Sequence, residues 1–264
     1  MPEADAVRMY QARLEERFLG HPVVVADSRW AGRISGLDAT TLDAVNVHGK
    51  VMWMDFSDDT SLVVHLGMKG KWRFSDGRSK GKTPGADGFY LGFEDGSALL
   101  RFPKVFDRVP TAEVKQHRSL AHLGPDILGD TFDLDDVVKR ARARDDDDLD
   151  IAELVLEQDV CAGIGNIFKC EALAALKLHP WAPANGMTTS RFEEVFTTSR
   201  AQMQQRLKGK LDAGYASQHP FSPQVYQRHK EGCRLCGGGV VVEEHGGDRS
   251  RLTWWCPHCQ TLEQ

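Results

Sequence analysis

The chain has 264 residues, 41% of them hydrophobic and 27% charged, with a formal net charge of −5. This length suits two domains of ordinary size, and no apolar run reaches the roughly 18 residues that a membrane span needs. The start lacks a basic segment followed by an apolar core, so no secretory signal is read; a cytoplasmic location is expected, nucleoid-associated in a bacterium.

Residues Pro2 to Leu19 read as a helix. Proline suits the first helical position, Glu3 suits the positive end of the dipole, and Val7, Tyr10, Leu14 and Phe18 recur on one face. From Val23 to about Phe106 the pattern changes to short β-rich runs. The expected strands are 23–25, 50–56, 61–66, 71–74, 89–93 and 98–102, with Ser57-Asp58-Asp59 and Glu94-Asp95-Gly96 as turns. Strands so spaced predict a sandwich or barrel-like sheet. After Pro110 the chain turns helical, with candidates at 134–143, 151–159, 166–176 and 191–207 and an exit marked by His219-Pro220-Phe221-Ser222-Pro223. The last forty or so residues are too few to hold a core without a staple.

The acidic charge is unevenly spread. Between Asp126 and Asp159, thirteen acidic residues face Lys139, Arg140, Arg142 and Arg144, a local net of −9 that leaves +4 for the remainder. The run Asp145 to Asp148 reads as a solvated connector, and the overall sign does not exclude a nucleic-acid partner.

Three features carry chemistry. Cys233-x2-Cys236 and Cys256-x2-Cys259, nineteen residues apart, have the spacing of a zinc ribbon, with 240–242 and 252–255 as the hairpin between them. Four thiolates close a tetrahedron, so one structural Zn2+ is expected. Cys161 and Cys170 lie in apolar helical sequence and read as core residues. Gly163-Ile164-Gly165-Asn166 separates two apolar helical segments; it is a tight turn whose following helix start could hold a phosphate oxygen, with Asn166 as a further donor. Pro2, once Met1 is removed, carries a secondary amine with a reference pKa near 8, so a useful fraction is neutral at physiological pH. Such an amine can attack a sugar C1′ and form an iminium, as Schiff-base lysines attack carbonyls, with Glu3 beside it to move protons.

Taken in order, these features make the chain resemble the formamidopyrimidine-DNA glycosylase/endonuclease VIII family over nearly its full length. The likeness rests on Met1-Pro2-Glu3, His48-Gly49-Lys50, His65-Leu66-Gly67-Met68-Lys69-Gly70 and Leu123-Gly124-Pro125-Asp126. It continues through Gln158 to Glu171, His179-Pro180, Val225-Tyr226-Gln227-Arg228 and the four cysteines. Asp5 and His179-Pro180-Trp181 lean toward the endonuclease VIII branch. The resemblance implies an α+β fold: an N-terminal helix and β-sandwich over 1–112, a helical domain with a helix–two-turns–helix motif over 113–222, and a four-cysteine zinc finger over 223–264. It implies Pro2 as nucleophile, Glu3 as general acid/base and Lys50 as the β-domain lysine near the lesion's phosphate. Asn166 and Arg251 would bind phosphates, and Met68 would fill the gap left by an extruded nucleotide.

The implied activity is base excision from damaged DNA, mainly double-stranded, by a monomeric glycosylase with an attached lyase that performs β,δ-elimination. Oxidised pyrimidines are the expected substrates. Oxidised purines, crosslinks or unusual adducts are the alternatives within the class, and a catalytically silent zinc-containing DNA-binding module is the alternative outside it. The chain departs from the family at several points. Ala4 and Gln227 replace glycines, Ala152 replaces a lysine, and Arg101-Phe102-Pro103-Lys104-Val105-Phe106-Asp107-Arg108 stands where relatives carry Asp-x-Arg-Arg-Phe-Gly. Phe106 and Arg108 are the candidates for the gap-filling phenylalanine and arginine of that segment.

Overall fold

The computed structural model describes residues 2–28, 36–77, 88–144, 149–214, 222–246 and 250–262. The acidic run Asp145 to Asp148 and the His219 to Phe221 part of the expected exit segment lie outside these. The chain divides into two compact units, residues 1–122 and 123–264.

The first unit opens with α1 (Ala4–Phe18) and continues through β1 (Val25–Ser28), β2 (Leu42–His48), β3 (Val51–Phe56), β4 (Thr60–His65), β5 (Lys71–Asp76), β6 (Gly88–Gly92), β7 (Gly96–Arg101) and β8 (Val105–Pro110), closing with a 3-10 turn at Thr111–Gln116. The strands form two antiparallel four-stranded sheets, ordered β1-β6-β7-β5 and β2-β3-β4-β8. Residues of both sheets and of α1 share one apolar cluster: Val7, Leu14 and Phe18 meet Val45, Met54, Leu62 and Val64 from one sheet and Phe89, Leu91 and Leu100 from the other. Phe18 stacks on Phe93 at 4.2 Å. Fully burying each such side chain contributes about 1.5–3 kcal/mol, which makes this cluster the main stabiliser of the sandwich.

Two strands were absent from the sequence expectation. β2 is broken up by Asp43 and Asn46, whose side chains sit on its outer face; Asn46 donates to Asp55 of β3 at 2.8 Å. β8 carries Asp107 and Arg108 and ends at Pro110, which an edge strand tolerates because its outward side needs no ladder donor.

The second unit contains α2 (Leu134–Arg142), α3 (Ile151–Leu154), α4 (Asn166–Ala175), α5 (Thr189–Asp212) and the hairpin β9 (Val241–His245)–β10 (Arg251–Trp255). Asp133, Asp150 and Thr188 cap α2, α3 and α5 by accepting backbone amides. The helix expected over 151–159 ends at Leu154 and passes into tighter turns, with the amides of Leu156 and Glu157 donating to the carbonyls of Glu153 (2.9 Å) and Leu154 (3.1 Å), and the Gln158 side chain braces these turns. Gln158 Nε2 donates to the carbonyls of Leu156 (2.7 Å) and Ile164 (3.0 Å), and its Oε1 accepts the Gly163 amide (3.1 Å). Leu123-Gly124-Pro125-Asp126 docks on the same turns: the Gly124 amide donates to Gln158 (2.9 Å) and the Ala162 amide to Pro125 (2.9 Å). A Cβ at Gly124 would strike the carbonyls of Asp159 and Val160, so the sequence needs glycine there. Cys161 and Cys170 are buried core residues, as expected. No helix among the described residues is long and apolar enough to cross a membrane.

Candidate active site and nucleic-acid interface

The structure starts the first helix two residues later than expected. Helical geometry begins at Ala4, Glu3 is the N-cap with φ −104° and ψ 177°, and its side chain makes no capping bond. Pro2 therefore precedes the helix and is half-buried, while Glu3 is only 2% exposed. Asp5 is fully buried in the first turn.

Lys50 lies in the two-residue connection between β2 and β3, where His48 and Val51 close the ladder. It is 8% exposed, a rare degree of burial for lysine. Val51 pairs with His65 of β4, and burial first, then the charges of Lys104 and Lys50, pull His65 from 6.5 to about 4. Lys50, His65 and Lys104 thus form one electrostatic group at this end of the sandwich.

Just beyond His65 the chain makes the Gly67–Gly70 turn. Gly67 has φ +64°, and a Cβ there would come within 2.7 Å of the Lys104 side chain. The His65 Nδ1 accepts the Gly67 amide at 3.1 Å and the Gly70 amide donates to Leu66 at 3.0 Å. Held in this way, Met68 projects with 65% of its surface exposed.

The two residues considered as partners of Met68 do not serve that purpose. Phe106 is 5% exposed and packs on Phe89 with ring centroids 4.7 Å apart. Arg108 is bound to the Asp58 carboxylate and to the Thr60 hydroxyl (3.0 Å), so it braces β4 against β8. Sequence reasoning missed Phe102, which is 37% exposed with φ +51°. A left-handed backbone at a bulky residue costs on the order of 1–2 kcal/mol. The only sequence signal was its place before a proline in the segment that departs from the family pattern.

In the second unit, Asn166 opens α4 directly after its N-cap Gly165. The Asn166 side-chain amide donates to the Leu252 carbonyl at 2.8 Å, which brings the turn motif to the strand that carries exposed Arg251. Two of the expected phosphate-binding residues are therefore neighbours. Behind them runs a buried polar chain that the sequence did not disclose. Lys169 Nζ donates to the Thr253 hydroxyl (2.6 Å), Thr253 lies 3.5 Å from His245 Nδ1, and His245 Nε2 is hydrogen-bonded to Asp150, the α3 cap. Lys169 is 1% and His245 6% exposed. Trp181 of the His179-Pro180-Trp181 stretch stacks on His245 at 4.3 Å and 7°. Glu171 accepts the amides of Gln224 (2.5 Å), Val225 (3.0 Å) and Tyr226 (2.8 Å), fixing the segment that leads into the ribbon. Burial pushes its carboxyl up, and the three amides act against that shift.

The sulfurs of Cys233, Cys236, Cys256 and Cys259 all lie within 4.8 Å of one another, with Cys233 4.0 Å from Cys259 and Cys236 3.6 Å from Cys256. A zinc tetrahedron with bonds of roughly 2.3 Å has edges of about 3.8 Å, so the donor set fits that ion. Burial pushes the thiols of Cys256 and Cys259 up, whereas the Gly238 amide holds Cys236 down. Several thiolates this close are stable together only beside a cation.

Known proteins share the sequence pattern and the fold. The model of the formamidopyrimidine-DNA glycosylase N-terminal domain matches residues 1–104, and that of the formamidopyrimidine-DNA glycosylase H2TH domain matches residues 123–215. The chain is 32% identical to the probable endonuclease 8 2 of Streptomyces coelicolor over 98% of this chain and 94% of that protein. It is 31% identical to the formamidopyrimidine-DNA glycosylase of Geobacter metallireducens over 99% and 100%. The fold matches the Lactococcus lactis formamidopyrimidine-DNA glycosylase, solved with DNA containing an oxidised pyrimidine, at a TM-score of 0.83 and 24% identity, covering 98% of this chain and 100% of that one. With both family models matched and a relative 32% identical over 98% of this chain, the chain belongs to the formamidopyrimidine-DNA glycosylase/endonuclease VIII family and is a DNA repair glycosylase of that type with an associated lyase activity.

Proposed function

We propose that the protein excises oxidised pyrimidines from duplex DNA through a Schiff base on Pro2. The observation that carries this reading is the position of Pro2 ahead of α1, outside the helical ladder and at its positive end, followed directly by the buried carboxylate of Glu3. After Met1 is removed, the neutral Pro2 nitrogen attacks C1′ of the damaged nucleotide, the bond from C1′ to the base breaks, and the base leaves as an anion that takes up the proton the Pro2 nitrogen loses. Glu3 delivers a proton to the sugar ring oxygen, and the opened sugar remains joined to Pro2 as an iminium. Loss of a C2′ proton then expels the 3′ phosphate, a second elimination expels the 5′ phosphate, and water hydrolyses the iminium to release the enzyme.

C1′ is poorly accessible inside a stacked duplex, so the nucleotide must first leave the stack. Lys50 is suited to hold the phosphate at the lesion, Asn166 and Arg251 to hold phosphates nearby, and Met68 to occupy the vacated space. Binding that rests on such contacts weakens with salt. The four cysteines would hold one structural Zn2+, which would fix the hairpin carrying Arg251. Asp5 and the His179-Pro180-Trp181 stretch, which lean to the endonuclease VIII branch, support pyrimidine lesions.

Single-turnover excision of thymine glycol and of 8-oxoguanine from otherwise identical duplexes tests this assignment. Faster removal of thymine glycol is expected, and a clear preference for the oxidised purine would contradict it.

A further inference from the structure

We propose that Phe102 inserts with Met68 into damaged duplex DNA as a two-residue wedge, and that it replaces the phenylalanine of the missing family segment. This rests on the reading of the protein as a base-extruding glycosylase. The two side chains come from adjacent loops of the first unit. Met68 lies between β4 and β5, and Phe102 lies in the three-residue crossover from β7 to β8. The loops are locked together, since the Lys104 amide donates to the His65 carbonyl at 2.8 Å and Lys104 fills the space beside Gly67. Both side chains are exposed, at 65% and 37%.

Three observations separate this pair from ordinary surface residues. Phe102 adopts φ +51° although no glycine stands there, so its backbone is strained while its ring remains at the surface. Strain held without burial of the side chain points to function. The surroundings are cationic: residues 65–72 and 99–106 contain Lys69, Lys71, Arg101 and Lys104 and no acidic residue. Lys71 and Arg101 face each other across the β5–β7 ladder, and the Arg101 guanidinium lies 4.9 Å over the Phe102 ring. An apolar tip within a collar of Lys and Arg matches a polyanion whose base stack has been opened, because the collar meets phosphates while the tip meets bases. Finally, the crossover is too short to carry a longer finger, and the residues after it are already committed: Phe106 to the core, Arg108 to Asp58, and Asp107 to His117 (3.3 Å) and Arg118 (3.4 Å).

The test combines substitution with a fluorescent reporter. A duplex carries a tetrahydrofuran abasic analogue with 2-aminopurine opposite, so insertion of the wedge alters the reporter's stacking without any chemistry. Wild type should change the fluorescence on binding. Phe102→Gly, which fits a positive φ and should leave the melting temperature unchanged or higher, should lose most of that change. It should also slow excision of a duplex lesion by about tenfold, the size expected of one lost base–aromatic contact. Phe102→Tyr should retain both. A wild-type signal and wild-type excision in Phe102→Gly would overturn the proposal. Failure of wild type to form a borohydride-trapped adduct on abasic DNA would instead sink the Pro2 reading, while the fluorescence would still report insertion.

Discussion

In the β-sandwich, side chains from Val7 to Phe106 form one continuous apolar cluster, and most polar contacts lie outside it. The ribbon end of the second unit is built the other way. Its apolar cluster is small, joining Cys170 and Ala174 of α4 to Val225, Val240, Trp254 and two of the four clustered cysteines. Position there is set by directional contacts: Asn166 to Leu252, Lys169 to Thr253, His245 to Asp150, and Glu171 to three amides. Apolar clusters tolerate small volume changes and lose stability gradually, whereas a buried polar network fails when one member is removed. The difference suits the tasks proposed for each region. A sandwich can carry strained, exposed loops such as the one at Phe102, while a hairpin proposed to bind phosphate must keep Arg251 at a fixed spacing from Asn166 of α4.

The comparison breaks most severely at the metal site. Chelation of zinc, or Cys256→Ala, should unfold the hairpin and lower affinity for abasic duplex by roughly tenfold or more, because metal binding supplies much of the folding energy of so small a unit. The sandwich should keep its own melting transition. Calorimetry with and without chelator checks this, and loss of both transitions together would show that the two regions are not held independently.

A smaller effect belongs to the sandwich. His65 falls from 6.5 to about 4 on folding, chiefly through burial. A depressed folded value means that the contribution is fully present above pH 6.5 and is lost as pH falls toward about 4. The total is at most about 3 kcal/mol. His65→Gln should flatten this part of the stability profile in denaturant titrations at successive pH values. An unchanged slope in the variant would assign the acid sensitivity elsewhere.

The smallest effect sharpens the picture of the ribbon's approach segment. Gln227 has φ +59°, at the position where the family resemblance implies a glycine. Gln227→Gly should stabilise the second unit by about 0.5–1 kcal/mol, since it relieves left-handed strain against a modest entropic cost. A lower melting temperature would mean that the glutamine side chain contributes more than its backbone costs.

What could be read from the sequence follows the same division. Short β-rich runs between turn residues marked most of the sandwich, and the helical stretches at 134, 151, 166 and 191 placed the starts of α2 to α5 to within two residues. β2 and β8 escaped because their polar residues belong to cross-strand and edge contacts that appear only once the partner strand is known. The cysteine spacing was legible because metal geometry is short-range in sequence. The Lys169–Thr253–His245–Asp150 chain was not, because it joins residues 84 and 95 positions apart through tertiary packing. Phe102 was hidden for another reason: a positive φ at a non-glycine residue has no sequence signature, and family pattern drew attention to Phe106 and Arg108 instead.

The most direct test of the account is borohydride trapping on duplex DNA containing an abasic site, with wild type beside Pro2→Gly and Glu3→Gln. The Met1-processed, zinc-loaded wild type should give a covalent adduct that peptide mapping places on the Pro2 nitrogen, and Pro2→Gly should give far less. Absence of an adduct from processed protein that still binds the DNA, or an adduct mapped to Lys50 or another lysine, would contradict the assignment of Pro2 as nucleophile.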